Sequence, residues 1–366
     1  MQVQVRLENR KLAGQLASFL RGCGLDHLLA AYGSEATRTR ALGLDISFLP
    51  EPQATATEFL LLGQAVESER VRDRLPPEIV LGLQGLGLAS EEDGFVRLKG
   101  IRLVRHLGVW VFCEAEHAGM SLYYGDDSLA LGRLLAPIRG RALDLCTGVG
   151  SQGLLCALTA EQVVCVEKNP AVSDLFHLNA ALNGLSDKVE LRIGDLCDAV
   201  RGERFDYVCC NPPLLPIPQG IPYPFVGDGG PDGQAVVRRI LQALPSLLSD
   251  TGRCQIVGTM PGDADGPDLS SLTCGFDPSF DILLVLPARE SLGPQSRMVD
   301  ALAYTAAAYS GKDFAAMREA FVAGYEAQKR GYLYSFLLLA QPAVSGGRGQ
   351  VRISPHFLRN VEFWRV

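Results

Sequence analysis

Positive charge and histidine are both scarce in this sequence. Its 34 lysine and arginine residues are outnumbered by 41 acidic residues, and the net charge is −7 at pH 7. Proteins that bind nucleic acids usually carry a basic surface, so this balance speaks against nucleic acid as a partner. The five histidines lie far apart and show no metal-ligand spacing, so we predict no metal site.

Long apolar runs are absent as well, and so is the cysteine spacing typical of metal-binding or redox motifs. No run approaches the roughly 20 apolar residues that span a bilayer, and we predict no signal peptide. The ten cysteines include no Cys-x-x-Cys pair, and most lie in apolar segments. This usage is typical of reduced, buried thiols. We therefore expect a cytoplasmic protein that makes no contact with a membrane.

The chain has 366 residues, of which 47% are hydrophobic, enough for two domains. We predict an N-terminal domain over residues 1–113 and a second domain over residues 114–366. In the first, leucines recur at helical spacing, and residues 76–98 have the pattern of a helix followed by a two-stranded wing. Because residues 78–88 contain no cation, we expect a structural or substrate-covering role rather than DNA binding.

The second domain is organised around residues 141–214. Residues 142–145 form a short apolar run with Asp144 near its end, and the glycine-bearing loop 146–150 and an apolar helix pattern follow. Strand, tight turn and helix form the opening unit of a nucleotide-binding α/β sheet. Glycines in such a turn let a ligand approach the backbone closely.

Two more acidic residues follow predicted strands. Glu167 ends the strand 163–167 and can accept hydrogen bonds from both ribose hydroxyls. Asp195 follows the strand 189–193 and is placed to receive an amino group such as that of adenine. No Gly-Lys-Ser/Thr follows the loop, and Cys146 replaces the first glycine of a dinucleotide fingerprint. A ligand with an ammonium, a ribose and an adenine fits better than a phosphate, and S-adenosylmethionine (SAM) is such a ligand.

The fourth predicted strand, 205–210, runs into the tetrad Asn211-Pro212-Pro213-Leu214. Together with the loop and the acids before it, this tetrad resembles the Asn-Pro-Pro-(Tyr/Phe/Leu) motif of class I SAM-dependent methyltransferases that methylate amines and amides. The resemblance implies an α/β fold, with a Rossmann-like sheet and an N-terminal helical, winged-helix-like domain. Residues 114–366 would form the SAM-binding catalytic domain.

The same resemblance implies a set of site residues. The side-chain carbonyl of Asn211 and the backbone carbonyl of Pro212 can hold two N–H groups and so aim a nitrogen lone pair. The candidate catalytic residues are Asn211, Pro212 and Tyr223. The candidate SAM-binding residues, all on the loop or after strands, are Asp144, Thr147, Gly148, Gly150, Glu167, Asp195, Leu196 and Asn211.

The segments around this core also carry predictions. Residues 214–234 are rich in proline and glycine and predict an irregular loop over the reaction centre, where Tyr223 and Phe225 could line an apolar pocket. Asp127 or Ser128 is expected to cap a helix over residues 129–135. Residues 298–329 predict a long helical segment, as a lid or a dimer surface.

We predict methyl transfer from SAM to an amine nitrogen of a small molecule or peptide in bacterial natural-product metabolism, by a homodimer. The alternative follows from an overall likeness to bacterial azetidine-2-carboxylate synthases, in which SAM cyclises and releases methylthioadenosine. A partner-binding module on an inactive fold is a third interpretation. An RNA or release-factor methyltransferase is a further variant, which the acidic charge disfavours.

Overall fold

The computed structural model describes residues 2–31, 43, 46–115, 121–343 and 348–355. The chain divides into two compact units that alternate along the sequence. One consists of Met1–Gly125, Gly148–Leu158 and Asn169–Leu191, and the other of Asp126–Thr147, Thr159–Lys168 and Arg192–Val366. The domain boundary expected after residue 113 stays a prediction.

The first unit begins with helices, as the leucine spacing predicted. Leu12, Leu16 and Leu20 are all buried on one side of the first helix. The helices before the first hairpin are α1 (Gln2–Gly22), α2 (Leu25–Ala31), α3 (Glu51–Ala56), α4 (Ser68–Arg74) and α5 (Pro77–Gly85). A turn of π-helix, Thr57–Leu61, directly follows α3.

A small sheet follows α5, in agreement with the predicted helix and wing. Strands β2 (Ala89–Glu92) and β3 (Phe95–Leu98) pair antiparallel, and β1 (Val66–Glu67) adds a third strand beside β3. The turn between β2 and β3 has positive φ at both Asp93 and Gly94, at 52° and 78°. This conformation matches the right-handed twist of a tight hairpin.

A second hairpin completes the strands of the first unit. It pairs β4 (Ile101–His106) with β5 (Val109–Glu114). His106 is fully buried, and its Nδ1 lies 2.8 Å from the hydroxyl of Tyr124. Burial lowers the pKa of His106 to about 4, so the ring is neutral near pH 7. The hydrogen bond fixes Tyr124, whereas 47% of Tyr123 is exposed.

An eight-stranded sheet forms the centre of the fold, in the order β13-β11-β12-β10-β9-β6-β7-β8. The strands β7, β6, β9 and β10 run parallel, and β12 is antiparallel to both β10 and β11. The bounds are β6 (Arg141–Leu145), β7 (Gln162–Glu167), β8 (Val189–Ile193), β9 (Phe205–Cys210), β10 (Leu248–Gly262), β11 (Phe280–Ser291), β12 (Tyr332–Pro342) and β13 (Val351–Pro355). The predicted α/β, Rossmann-like fold is confirmed.

Helices connect and cover these strands. The remaining helices are α6 (Asp126–Leu134), α7 (Ser151–Ala157), α8 (Ser173–Leu182), α9 (Ala235–Leu247), α10 (Ser270–Thr273), α11 (Arg297–Ser310) and α12 (Phe314–Ala327). One face of α9 buries Val237, Ile240 and Leu244 in a core cluster with Ile256 and Leu338 of the sheet. The apolar residues on α9 recur at helical spacing, which agrees with one buried face.

The predicted helical segment 298–329 is a hairpin of two helices between β11 and β12. The first, α11, ends at Gly311, whose φ of 67° is the left-handed conformation that stops a helix. Asp313 then caps α12 by accepting a hydrogen bond from the backbone N–H of Ala316 at 2.9 Å. Within the described residues, no helix combines the length and the apolar character that crossing a membrane requires.

Candidate active site

Asp144 lies at the end of β6 and is completely buried. The hydroxyl of Thr147 donates a hydrogen bond to its Oδ2 at 2.5 Å, and the thiol of Cys209 lies 3.5 Å from its Oδ1. The backbone N–H of Thr147 donates to the carbonyl of Val166 at 3.1 Å. Asp144 therefore holds the turn that leaves β6, and its contact with SAM stays a prediction.

The loop after β6 needs left-handed backbone at three positions. Cys146, Gly148 and Gly150 have φ values of 57°, 54° and 97°. A Cβ added at Gly150 would lie 2.8 Å from a ring carbon of Phe176, so only glycine fits there. Cys146 adopts the conformation that glycine would take in the dinucleotide fingerprint, which is uncommon for a residue with a side chain. The sequence could not show that the loop keeps this geometry without its first glycine.

Glu167 is the last residue of β7, and only 8% of it is exposed. Its backbone carbonyl accepts a hydrogen bond at 2.9 Å from the N–H of Gly194, which follows β8. The two strand ends that carry Glu167 and Asp195 are thus tied together. A carboxylate at this edge of a parallel sheet suits a ribose diol.

Asp195 is engaged by cations. Its two oxygens lie 3.3 and 3.1 Å from the two terminal nitrogens of Arg239, and the Nζ of Lys168 lies 3.8 Å away. The Arg239 guanidinium lowers the pKa of Asp195, so the group stays ionised. The next residue, Leu196, has a φ of 51° and opens a short 3-10 turn, Leu196–Val200. Sequence reasoning missed Arg239, because it follows Asp195 by 44 residues.

Asn211 follows β9, and its amide group is anchored at one end. Its Nδ2 donates hydrogen bonds to Oδ2 of Asp127 and to Oγ of Ser128, each at 3.1 Å. Its Oδ1 is buried and has no hydrogen-bond partner among the described residues. A buried acceptor without a partner costs about 1–3 kcal/mol. Such a cost is typical of a group that is completed by a ligand.

The partners of Asn211 correct one prediction. We expected Asp127 or Ser128 to precede a helix that starts at Leu129, but α6 begins at Asp126. Both residues therefore lie inside its first turn, and their side chains reach Asn211 instead. The signal that could have found them is the pair of small polar residues at the start of an otherwise apolar, buried helix.

The loop after Asn211 is fixed by the sheet and by α12. The carbonyl of Leu214 accepts a hydrogen bond from the hydroxyl of Thr259 on β10. The hydroxyl of Tyr325 on α12 donates to the carbonyl of Pro216 at 2.7 Å. A Cβ at Gly324 would lie 2.6 Å from Cβ of Pro218, so the helix and the loop touch where only glycine fits. The loop is irregular, as predicted, and its contacts with β10 and α12 hold it in place.

Tyr223 packs among the residues of the helical hairpin. Its ring meets Phe321 edge-on, with 6.4 Å between the ring centres. Burial raises the pKa of its hydroxyl to about 12, against a smaller effect of the hydrogen bond with Thr305. Half of Phe225 is exposed. The structure thus places Tyr223 in the cluster around α11 and α12, and its catalytic role stays a prediction.

The sequence profile of the methyltransferase small domain matches residues 126–263, which include α6, the strands β6 to β10 and the Asn211 tetrad. This match and the sheet described above define a class I SAM-dependent methyltransferase. The prediction of that class is confirmed.

Two related proteins indicate which family within this class the chain resembles. The chain is 37% identical over 244 residues to the release factor glutamine methyltransferase of Mycolicibacterium smegmatis. The aligned region covers 63% of this chain and 74% of that protein. It is 38% identical over 122 residues to the ribosomal protein uL3 glutamine methyltransferase of Bordetella pertussis, but spans only 41% of that protein. The chain therefore belongs to the same methyltransferase family as the Mycolicibacterium smegmatis protein.

A solved structure of a transferase from Pyrococcus horikoshii has a TM-score of 0.41 and 12% identity, covering 83% of this chain and 99% of that one. This likeness is too distant to bear on function. The alternative prediction, that SAM is cyclised to azetidine-2-carboxylate, receives no support from the relatives, which are methyltransferases.

Proposed function

We propose that this protein transfers a methyl group from SAM to the nitrogen of a primary amide, of the kind that glutamine carries, in a protein or peptide. The observation that supports this most is the buried Oδ1 of Asn211, which no described residue engages in a hydrogen bond. The names of the relatives point the same way, since both are glutamine methyltransferases.

The residues of the second unit fit SAM. Glu167 offers a nearly buried carboxylate for the ribose, and Asp195 offers an ionised one near the adenine position. When bound, SAM supplies an electrophilic methyl group on a sulfonium. The protein has to position a nitrogen in line with that methyl group and to exclude competing nucleophiles.

A primary amide presents two N–H groups, and the Asn211 tetrad presents two acceptors. Oδ1 of Asn211 would accept from one N–H, and the backbone carbonyl of Pro212 from the other. The ring of Pro212 restricts its φ, and Pro213 after it restricts its ψ, so the carbonyl of Pro212 has a nearly fixed direction. Both bonds strengthen as the nitrogen gains positive charge, so they stabilise the transition state more than the bound substrate.

The proposed reaction needs no strong base. The nitrogen forms its bond to the methyl carbon as the bond from carbon to sulfur breaks, which leaves S-adenosylhomocysteine. The methylated nitrogen then loses one proton to solvent. This agrees with a site in which two acceptors, rather than a histidine–aspartate pair, surround the reacting nitrogen.

The test uses mass spectrometry on four reactions with SAM: three contain a bacterial release factor, ribosomal protein uL3 or a lysine-rich peptide, and the fourth contains no acceptor. We expect one methyl group on a glutamine nitrogen of one of the two proteins, with an equal amount of S-adenosylhomocysteine. Methylation of lysine instead would contradict the choice of an amide. Methylthioadenosine with azetidine-2-carboxylate in the sample without acceptor would contradict methyl transfer altogether.

A further inference from the structure

We infer that Asp127 and Ser128 are positioning residues that hold the amide of Asn211 in the one orientation that presents Oδ1 to the acceptor substrate. The inference rests on the proposed function, because it concerns the same reacting nitrogen. It adds two residues from α6 that none of the sequence motifs included.

The contacts have ordinary hydrogen-bond lengths and are well protected from solvent. Nδ2 of Asn211 lies 3.1 Å from Oδ2 of Asp127 and 3.1 Å from Oγ of Ser128. Only 6% of Asp127 and 3% of Ser128 are exposed. Water therefore competes little for these hydrogen bonds, and both partners sit on the first turn of one helix.

The helix itself is fixed relative to the strand that carries Asn211. Leu131 of α6 is fully buried in a cluster with Leu214, three residues after Asn211, and with Val257 of β10. The distance between the first turn of α6 and the end of β9 is therefore set by core packing. A frame of this kind keeps Asp127 opposite the amide in the absence of substrate.

Charge selects between the two orientations of the amide. The oxygen and the nitrogen of an asparagine side chain are nearly equal in size, so shape alone does not distinguish them. A carboxylate accepts hydrogen bonds and donates none, so it attracts the NH₂ end and repels the oxygen. The hydroxyl of Ser128 can donate or accept, so it supports the orientation without selecting it. We therefore assign the selection to Asp127.

The same contact acts on the electron density of the amide. A negative charge beside Nδ2 draws the N–H protons and increases the partial negative charge on Oδ1. A stronger acceptor stabilises an N–H that becomes more positive during methyl transfer. Asp127 should therefore contribute mainly to kcat, and little to the binding of SAM.

The first test replaces the carboxylate while keeping its shape. Asp127→Asn should lower kcat by about 10- to 100-fold, and Ser128→Ala by about three- to tenfold, with the dissociation constant of SAM unchanged within about twofold. Asp250→Asn, an exposed residue at the start of β10, is the matched control and should leave kcat unchanged. Full activity of Asp127→Asn would overturn the inference.

A double-mutant cycle separates positioning from general support of the fold. If Asp127 acts through Asn211, then Asp127→Asn should lower kcat by less than about twofold in a protein that already carries Asn211→Ala. If the loss is the same in both backgrounds, Asp127 acts elsewhere and the inference is wrong. Should Asp127→Asn fail to fold, the same cycle with Ser128→Ala decides the question.

A readout that needs no turnover distinguishes this inference from the proposed function. In protein labelled with ¹⁵N-asparagine, the side-chain NH₂ protons of Asn211 should exchange slowly with solvent, and faster in Asp127→Asn. Unchanged exchange would overturn the positioning role. If exchange responds as expected while no amide is ever methylated, the proposed function fails and the positioning role survives.

Discussion

Asn211 and Asp195 occupy equivalent places in the sheet and differ in what surrounds them. Each follows a strand, Asn211 after β9 and Asp195 after β8. Both oxygens of Asp195 already contact Arg239, whereas the Oδ1 of Asn211 has no partner among the described residues. The end of a strand brings a polar group to the site, but the neighbours decide whether that group is available to a ligand.

Asp195 and Asn211 also differ in the exposure of their side-chain oxygens to solvent. The side chains of Asp195 and Arg239 are 40% and 49% exposed, so water screens their ion pair. Such pairs contribute about 0–1 kcal/mol, and either partner is easily exchanged. Water cannot reach the Oδ1 of Asn211 in the same way, because that atom is buried. A hydrogen bond from a bound ligand should therefore stabilise the side chain of Asn211 more than that of Asp195.

The largest effect is expected at Asn211. Asn211→Ala removes the acceptor and should lower kcat by about 100- to 1000-fold, as is typical when one preorganised group around a reacting centre is lost. SAM binding should change by less than about twofold. Steady-state kinetics with the amide substrate and calorimetry with SAM measure the two quantities. Full activity of this variant would place the reaction elsewhere.

Glu167 is 8% exposed, and its predicted role differs from that of Asn211, because we expect it to bind SAM rather than the acceptor. Glu167→Gln weakens the hydrogen bonds to the ribose, and we expect the affinity for SAM to fall by about 10- to 100-fold. Glu161→Gln, an exposed residue just before β7, is the control and should bind SAM normally. Calorimetry that finds the same affinity for both variants would remove Glu167 from the SAM site.

Tyr223 tests whether every buried polar group in this region is functional. Its hydroxyl already has a partner in Thr305, unlike the Oδ1 of Asn211. Tyr223→Phe should therefore cost about 1 kcal/mol of unfolding free energy and leave kcat within about twofold. Urea unfolding and kinetics measure both. A large loss of kcat at unchanged stability would establish the catalytic role that the sequence predicted.

The smallest effect is expected at Arg239. Arg239→Ala frees Asp195 and should reduce stability by less than about 1 kcal/mol at pH 7. Arg239 lowers the pKa of Asp195 in the folded state, so its contribution is present above about pH 4, the usual range of the unfolded carboxyl, and is lost as the pH falls.

Unfolding curves of the wild type and of Arg239→Ala should therefore converge in acid. The affinity for SAM should hold or rise slightly, because the carboxylate becomes available to the adenine amino group. A loss of more than about tenfold would show that Arg239 itself contacts SAM.

The strands that carry the site, and the polar residues at their ends, could be predicted because each depends on a short-range pattern. Apolar runs followed by Asp144, Glu167 and Asn211 are local in sequence, and parallel strands bring their carboxyl ends to one edge. The partners of those groups could not be predicted. Asp127 precedes Asn211 by 84 residues, and only the packing of α6 brings the two together.

The backbone conformation of two residues that follow strands could not be predicted either. The left-handed conformations of Cys146 and Leu196 are strained for residues with side chains, and sequence propensities point away from them. The position of Tyr223 could not be predicted for a different reason. A proline- and glycine-rich loop was correctly predicted, but its direction depends on contacts with α12, which begins more than 80 residues further along the chain.

Under the proposed function, the helical hairpin α11–α12 supports the acceptor side of the site. It is a single contiguous insert between β11 and β12, and it lies outside the residues 126–263 that the family profile matches. It touches the loop after Asn211 through Tyr325 and Gly324, whereas Asp144 and Glu167 are held by their own strands. Under that proposal, we expect substitutions in the hairpin to change the choice of acceptor while the recognition of SAM stays the same.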